Sequence, residues 1–176
     1  MNRRSILSLS AIMALGLALL PGSAVGQQKS LKDQLVGTWT VVSWEQTNKD
    51  GSKFERFGTN PKGVNVFDAD SRFFIMIARS ELPKIASNNP STSMPEEDKG
   101  IERGSVAYFG TYTVDAAGKI VTLRVEASSL PNQVGVEQKL TIISLTADEL
   151  KYTNTTAVTG DPINIAMKRT TAVAAN

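Results

Sequence analysis

The stretch LVGTWTVVSWE, residues 35–45, decides how the rest of the chain is read. From Gly37 onward it alternates closely enough for a half-buried strand, and it is rich in Thr, Val and Trp, the residues that pack well on a pleated surface. A period of two places Trp39, Val41, Ser43 and Glu45 on one face and Thr38, Thr40, Val42 and Trp44 on the other. Gly37-Thr38-Trp39 is a weak motif by itself. Its weight depends on whether the following segments can close a sheet around Trp39.

Seven further segments read as strands. VNVFD and RFFIMIARS flank the turn ADS, so they form a hairpin. SVAYFGTYTVD (105–115) and KIVTLRVEAS (119–128) flank another short turn. VEQKLTIISL (136–145) and ELKYTNTT (149–156) flank TAD, and INIAMKRT (163–170) is the last. Between them, NKDGS (48–52) is a turn centred on Asp50-Gly51, and FERFGTNPKG is loop-like. Residues 80–104 break the pattern with prolines, small polar residues and a charge cluster. A helix starting near Ser93 or Pro95 fits there, because Glu96, Glu97 and Asp98 suit a helix N-terminus. The total is eight strands, mostly joined by short turns, as in a sandwich or a closed antiparallel barrel. Up-and-down order favours closure, which removes the sheet edges and leaves an interior wide enough for side chains or one small ligand.

The first 26 residues read as an export signal. Arg3 and Arg4 form a basic start, ILSLSAIMALGLALL (6–20) is an uncharged apolar run, and Ala24 and Gly26 suit a cleavage site. The run is short for a membrane span of about 20 residues. The Arg-Arg pair leaves the general and twin-arginine export routes open. The expected division is a signal peptide at 1–26 and one barrel domain at 27–176, exported and periplasmic, with no transmembrane span after cleavage. Without Arg3 and Arg4 the 19 basic residues become 17, matching the 17 acidic ones. That neutral balance lacks the basic stripe that nucleic-acid binding needs.

The 176 residues contain no histidine and no cysteine. Ser-His-Asp and Cys-His nucleophiles, ordinary zinc or haem ligation, and disulfides are therefore excluded. DADSR (68–72) has two Asp spaced as in calcium loops, but it lacks the following glycine and terminal Glu of an EF-hand, so a hairpin turn explains it better. No metal or cofactor is expected.

Taken together, LVGTWTVVSWE, NPKGVNVFDADSRFFIMIAR, AYFGTYTVD with AAGKIVTLRVEAS, and the closing AMKR resemble the bacterial and fungal lipocalin-like domain family, in order and over most of residues 35–170. The resemblance implies an all-β, eight-stranded, up-and-down antiparallel barrel of the calycin type. It would have a short N-terminal turn and a long loop with a short helix at 80–104. It also implies that Trp39 closes the barrel floor and that Arg169, on the last strand, packs over it. Cation–π attraction between a guanidinium plane and an indole agrees with that pairing. Relatives with His in the strand that here reads IVTLRVEAS differ from this chain, whose polar candidate there is Arg124.

The expected function is binding of a small, mostly hydrophobic molecule inside the barrel, with residues 80–104 as a lid or rim. Parity nominates Val41, Ser43, Phe74, Met76, Tyr108, Tyr112, Gln138 and Met167 as lining residues. Arg124 is nominated as a polar anchor for an amphipathic ligand, although Val121, Leu123 and Val125 on the opposite face favour a wet outer surface for Arg124 and Glu126. Two other classes stay open. One is a cavity enzyme of isomerase, cyclase or hydratase type using Tyr, Glu and Arg. The other is an envelope interaction module without a ligand. Its partner, or a second copy, would cover the strand at 72–79 through Phe73, Ile75 and Ile77, because RFFIMI is apolar on both faces.

Overall fold

Strand β1 (Gly37–Thr47) has partners on both sides: β3 (Lys62–Phe67) pairs with its first half and β9 (Ile163–Arg169) with nearly its whole length. The remaining strands follow in chain order: β4 (Arg72–Ala78), β5 (Ser105–Asp115), β6 (Ile120–Ser128), β7 (Glu137–Leu145) and β8 (Glu149–Asn154). Each pairs antiparallel with the next, and the β1–β9 ladder closes the ring. This is an eight-stranded up-and-down barrel in a computed structural model that describes residues 29–171. A two-residue strand, β2 (Lys53–Phe54), pairs with the end of β1 outside the ring, where the sequence reads as loop. Residues 1–28, which carry the expected export signal, lie outside the described residues.

Short turns gather at one end of the barrel, at 68–71, 116–119 and 146–148. Helix α1 (Leu31–Leu35) lies there, started by a capping box in which Ser30 and Asp33 satisfy each other's backbone N–H. Two hydrogen bonds donated by Ser30, from its hydroxyl and its backbone N–H, hold the Asp33 carboxyl below the usual carboxylate range. Long connections gather at the other end. The longest carries helix α2 (Pro95–Gly104), which starts with Pro95 in its first turn and with Glu97 accepting from Met94 N–H at 2.8 Å.

Three ladders carry a register shift: β1 against β9 between Val41 and Ser43, β5 against β6 between Phe109 and Gly110, and β7 against β8 between Ile142 and Ser144. Each inserts a residue and changes which side chains face inward. In β1 the inward set becomes Trp39 and Val41, then Trp44 and Gln46, while Val42 and Ser43 both face out. Ser43 is therefore not a lining residue. The second bulge inserts Glu126 in β6, and at Gly110, opposite it, a Cβ would collide with the Arg124 carbonyl oxygen, so this position requires glycine.

In β4 the inward residues are Phe73, Ile75 and Ile77, buried in the core, while Phe74 and Met76 are exposed at 40% and 44%. The expected parity is reversed. Phe74 and Met76 do not line the interior, and the residues expected to be hidden by a second copy are inside the barrel. Arg124 also faces solvent, as does Glu126, which pairs with Arg72 at 2.7 Å. Among the described residues, no helix is long and apolar enough to cross a membrane.

Candidate functional site

The floor is sealed around Trp39, which is fully buried and donates its indole N–H to Leu35 O at 2.8 Å. The Arg169 guanidinium carbon stands 4.0 Å from the centre of the Trp39 ring. Its three nitrogens donate to Ala147 O at 2.5 Å, Val36 O at 2.9 Å and Gln34 O at 2.6 Å. One side chain thus ties the last strand, the end of α1 and the β7–β8 turn together. Gly37 makes room for it: its φ is +136°, and a Cβ there would stand 2.5 Å from Arg169 Nη1. Tyr112 completes the floor, edge-on to Phe67 and donating its hydroxyl to Asp68 O at 2.6 Å. Met167 and Val41 are buried in the packed wall. These residues close the barrel and stand away from any space inside it.

The interior space lies towards the other end. A cavity of about 40 Å³ is walled by Trp44, Ile77, Val106, Ile163 and Ile165, with Tyr108, Gln133, Gln138, Asn154 and Thr159 as neutral polar members and Arg56 at its edge. Of the nominated residues, only Tyr108 and Gln138 line it. Its roof is Phe57, from the connection between β2 and β3, which is 2% exposed and meets Trp44 edge-on at 5.1 Å. Arg56 lies over the Phe57 ring at 5.2 Å and donates to Arg103 O and Glu102 O at the end of α2. Burial, the largest influence, lowers the Arg56 pKa, and Arg79 adds to that; Glu102 opposes it. Arg79 in turn donates to Arg56 O at 3.0 Å. No residue of 80–104 lines the cavity; the segment meets its roof through the carbonyl oxygens of Glu102 and Arg103, which hold Arg56 over Phe57.

The polar groups inside are neutral amides and phenols. Asn65 donates to the Tyr152 hydroxyl at 2.9 Å, and its Oδ1 has no partner. Burial pushes the Tyr152 and Tyr108 hydroxyls well above the ordinary tyrosine range; Tyr152 is raised further by Tyr108 and lowered by Asn65. Asn154 donates to Gln138 Oε1 at 2.7 Å, and Gln138 Nε2 is buried without a partner. Gln133, on the rim, accepts from Ser128 at 2.7 Å. No carboxylate lines this cavity, which removes the Glu that the cavity-enzyme reading requires. No cluster of metal-ligating side chains occurs among the described residues.

Trp44, Phe57, Asn65, Gln133, Tyr152 and Asn154 escape the sequence reading. Asn65, Tyr152 and Asn154 carried a signal, since each is a polar residue at an inward position of a regular strand. Trp44 is inverted by the bulge, and nothing in the loop around Phe57 foretells its position.

A larger open groove of about 640 Å³ lies outside the floor, between α1 and the β7–β8 turn; Lys29 and Arg169 both line it, and the Arg169 guanidinium is already engaged by carbonyl oxygens.

A family model described as a lipocalin-like domain matches residues 36–175. Among solved structures, the chain is similar to a lipocalin-like protein from Bacteroides uniformis ATCC 8492, at 13% identity and a TM-score of 0.42, over 78% of this chain and 99% of that one. It is also similar to a redesigned β-barrel, mFAP1, bound to DFHBI, at 16% identity and a TM-score of 0.41, over 80% of this chain and 100% of that one. No curated protein matches.

Proposed function

This chain belongs to the lipocalin-like domain family, and from that premise we propose that it is an exported barrel that binds a small, mostly hydrophobic molecule in its interior. The observation that carries this reading is the roofed space beneath Phe57, apolar on most sides yet holding the unpartnered Gln138 Nε2. A buried polar atom without a partner costs about 1–3 kcal/mol, a cost that a bound molecule removes. At about 40 Å³ the space holds a few waters, since each needs roughly 10–15 Å³ on this measure. Phe57 must therefore swing out to admit a ligand, whose apolar surface then replaces its ring against Trp44. Affinity comes from that burial, at about 25 cal/mol per Å² before the costs of association.

Native mass spectrometry of the protein purified from its own host tests the reading. A copurifying small molecule that dissociates on mild activation supports it. A protein that is always empty, and that takes up no neutral hydrophobic dye after Phe57→Ala, refutes it. N-terminal sequencing of the same sample reads export directly, with Gln27 as the expected first residue.

A further inference from the structure

The hydrogen bonds behind Gln138 fix which end of its amide faces the cavity. The chain of constraint starts at a backbone group. Thr156 N–H donates to Asn154 Oδ1 at 3.0 Å, and a backbone N–H has no other polarity to offer. Asn154 must therefore turn its Nδ2 the other way, where it meets Gln138 at 2.7 Å. That bond requires Gln138 to present Oε1, which leaves Nε2 as its free end. Gln138 is 1% exposed and lines the cavity, so its free group is a buried donor. A second amide on the same wall is arranged alike. Ser128 Oγ accepts from Leu130 N–H at 2.9 Å and donates to Gln133 Oε1 at 2.7 Å, and Gln133 Nε2 makes no hydrogen bond among the described residues. The one charged side chain at this cavity is Arg56, at its mouth, and Nε and Nη2 of its guanidinium are engaged by the carbonyl oxygens of Arg103 and Glu102.

We infer that the ligand of this interior is an uncharged molecule that offers an oxygen acceptor, such as a ketone, ester or lactone carbonyl, to the amide N–H of Gln138, with Gln133 as a second donor nearer the mouth. This rests on the interior-binding reading above. It replaces an expected ionic anchor at Arg124 with neutral donors, of which Gln138 has its polarity imposed by the backbone. An anion would meet no uncommitted cation inside. A hydrocarbon would leave the donor unsatisfied.

Three matched probes test it by solution NMR: acetophenone, ethylbenzene (no acceptor) and benzoate (anionic). In the native chain, acetophenone is expected to bind about tenfold more tightly than ethylbenzene, the worth of about one net hydrogen bond. It should also shift the Gln138 side-chain amide resonances. Gln138→Leu should abolish that preference. Asn154→Asp removes the donor that holds Gln138 Oε1 and supplies an acceptor instead, so the Gln138 amide turns over and preference passes to a donor-bearing probe, aniline. A merely structural role for Asn154 predicts no such reversal, and this variant decides the matter if Gln138→Leu does not fold. Equal affinity for acetophenone and ethylbenzene, or a preference for benzoate, overturns the inference while leaving interior binding intact. If no probe reaches the cavity and only ordered water meets Gln138, both readings fall.

Discussion

Arg169 lies over Trp39, 4.0 Å from the ring centre, and donates its hydrogen bonds to three carbonyl oxygens, two at the end of α1 and one in the β7–β8 turn. Arg169→Ala removes the cation–π contact and leaves those carbonyls short of a donor. The expected loss is about 3 kcal/mol, read as a fall of roughly 10 °C in Tm for a domain of this size. Arg169→Lys should recover little, because one ammonium cannot reach three divergent acceptors. Gly37→Ala is destabilising in the native chain and should cost less in the Arg169→Ala background, where the collision with Nη1 is gone and only the backbone strain remains. A double-mutant cycle by thermal denaturation measures that coupling, and additive losses would show that the two residues do not meet.

Phe57 governs access. Phe57→Ala should destabilise the barrel by about 3–5 kcal/mol and increase uptake of a neutral dye such as Nile red. Arg56→Ala leaves the ring in place but cuts its tether to α2. It should raise both the association and dissociation rates of acetophenone with little change in equilibrium affinity. Stopped-flow traces with unchanged rates would place the entrance elsewhere.

Arg124 and Met76 face solvent. Arg124→Ala and Met76→Ser should leave probe affinity within twofold of the native chain, whereas Gln138→Leu should not. A titration in which Arg124→Ala abolishes binding would return the site to the outer surface. The Arg72–Glu126 pair beside it is exposed and screened by solvent, and its removal should leave Tm nearly unchanged.

The chain has three tyrosines, and all have hydroxyl pKa values raised by burial, that of Tyr112 up to about 12, with Asp68 adding to it. A folded pKa above the unfolded value of about 10 contributes stability that is complete below pH 10. It is lost as pH rises beyond 10 towards the folded value. Absorbance at 295 nm should therefore stay flat through pH 10 and then rise for all three residues together as the barrel unfolds. A normal titration of one tyrosine near pH 10 would show that its hydroxyl is open to solvent.

The strand count and closed barrel were legible because eight segments alternate between recognisable turns. Which side chains face inward was legible only where alternation is clean. Tyr108 and Gln138 sit on such stretches. RFFIMI is apolar on both faces and carries no phase of its own, so the choice between Phe74 with Met76 and Phe73 with Ile75 fell to pairing with β3 and β5. The bulge at Val41 and Ser43 left no mark, since two adjacent valines fit either phase. Phe57 is a tertiary contact of an irregular loop, which periodicity cannot describe. The link between Trp39 and Arg169 came from family likeness; nothing in their spacing joins residues at opposite ends of a chain.

The β1–β9 ladder also constrains how the molecule is made. Every other pairing in the ring joins strands that are neighbours in the chain, so those hairpins can assemble as the chain emerges. β1 keeps an open edge until residues 163–169 arrive, and the Trp39 ring stays uncovered until Arg169 does. That contact spans nearly the whole described chain, the kind of closure that is slow and leaves an edge strand exposed to other chains. Folding is therefore gated by the arrival of β9, and a chain truncated before residue 163 keeps its hairpins but has no seam to shut.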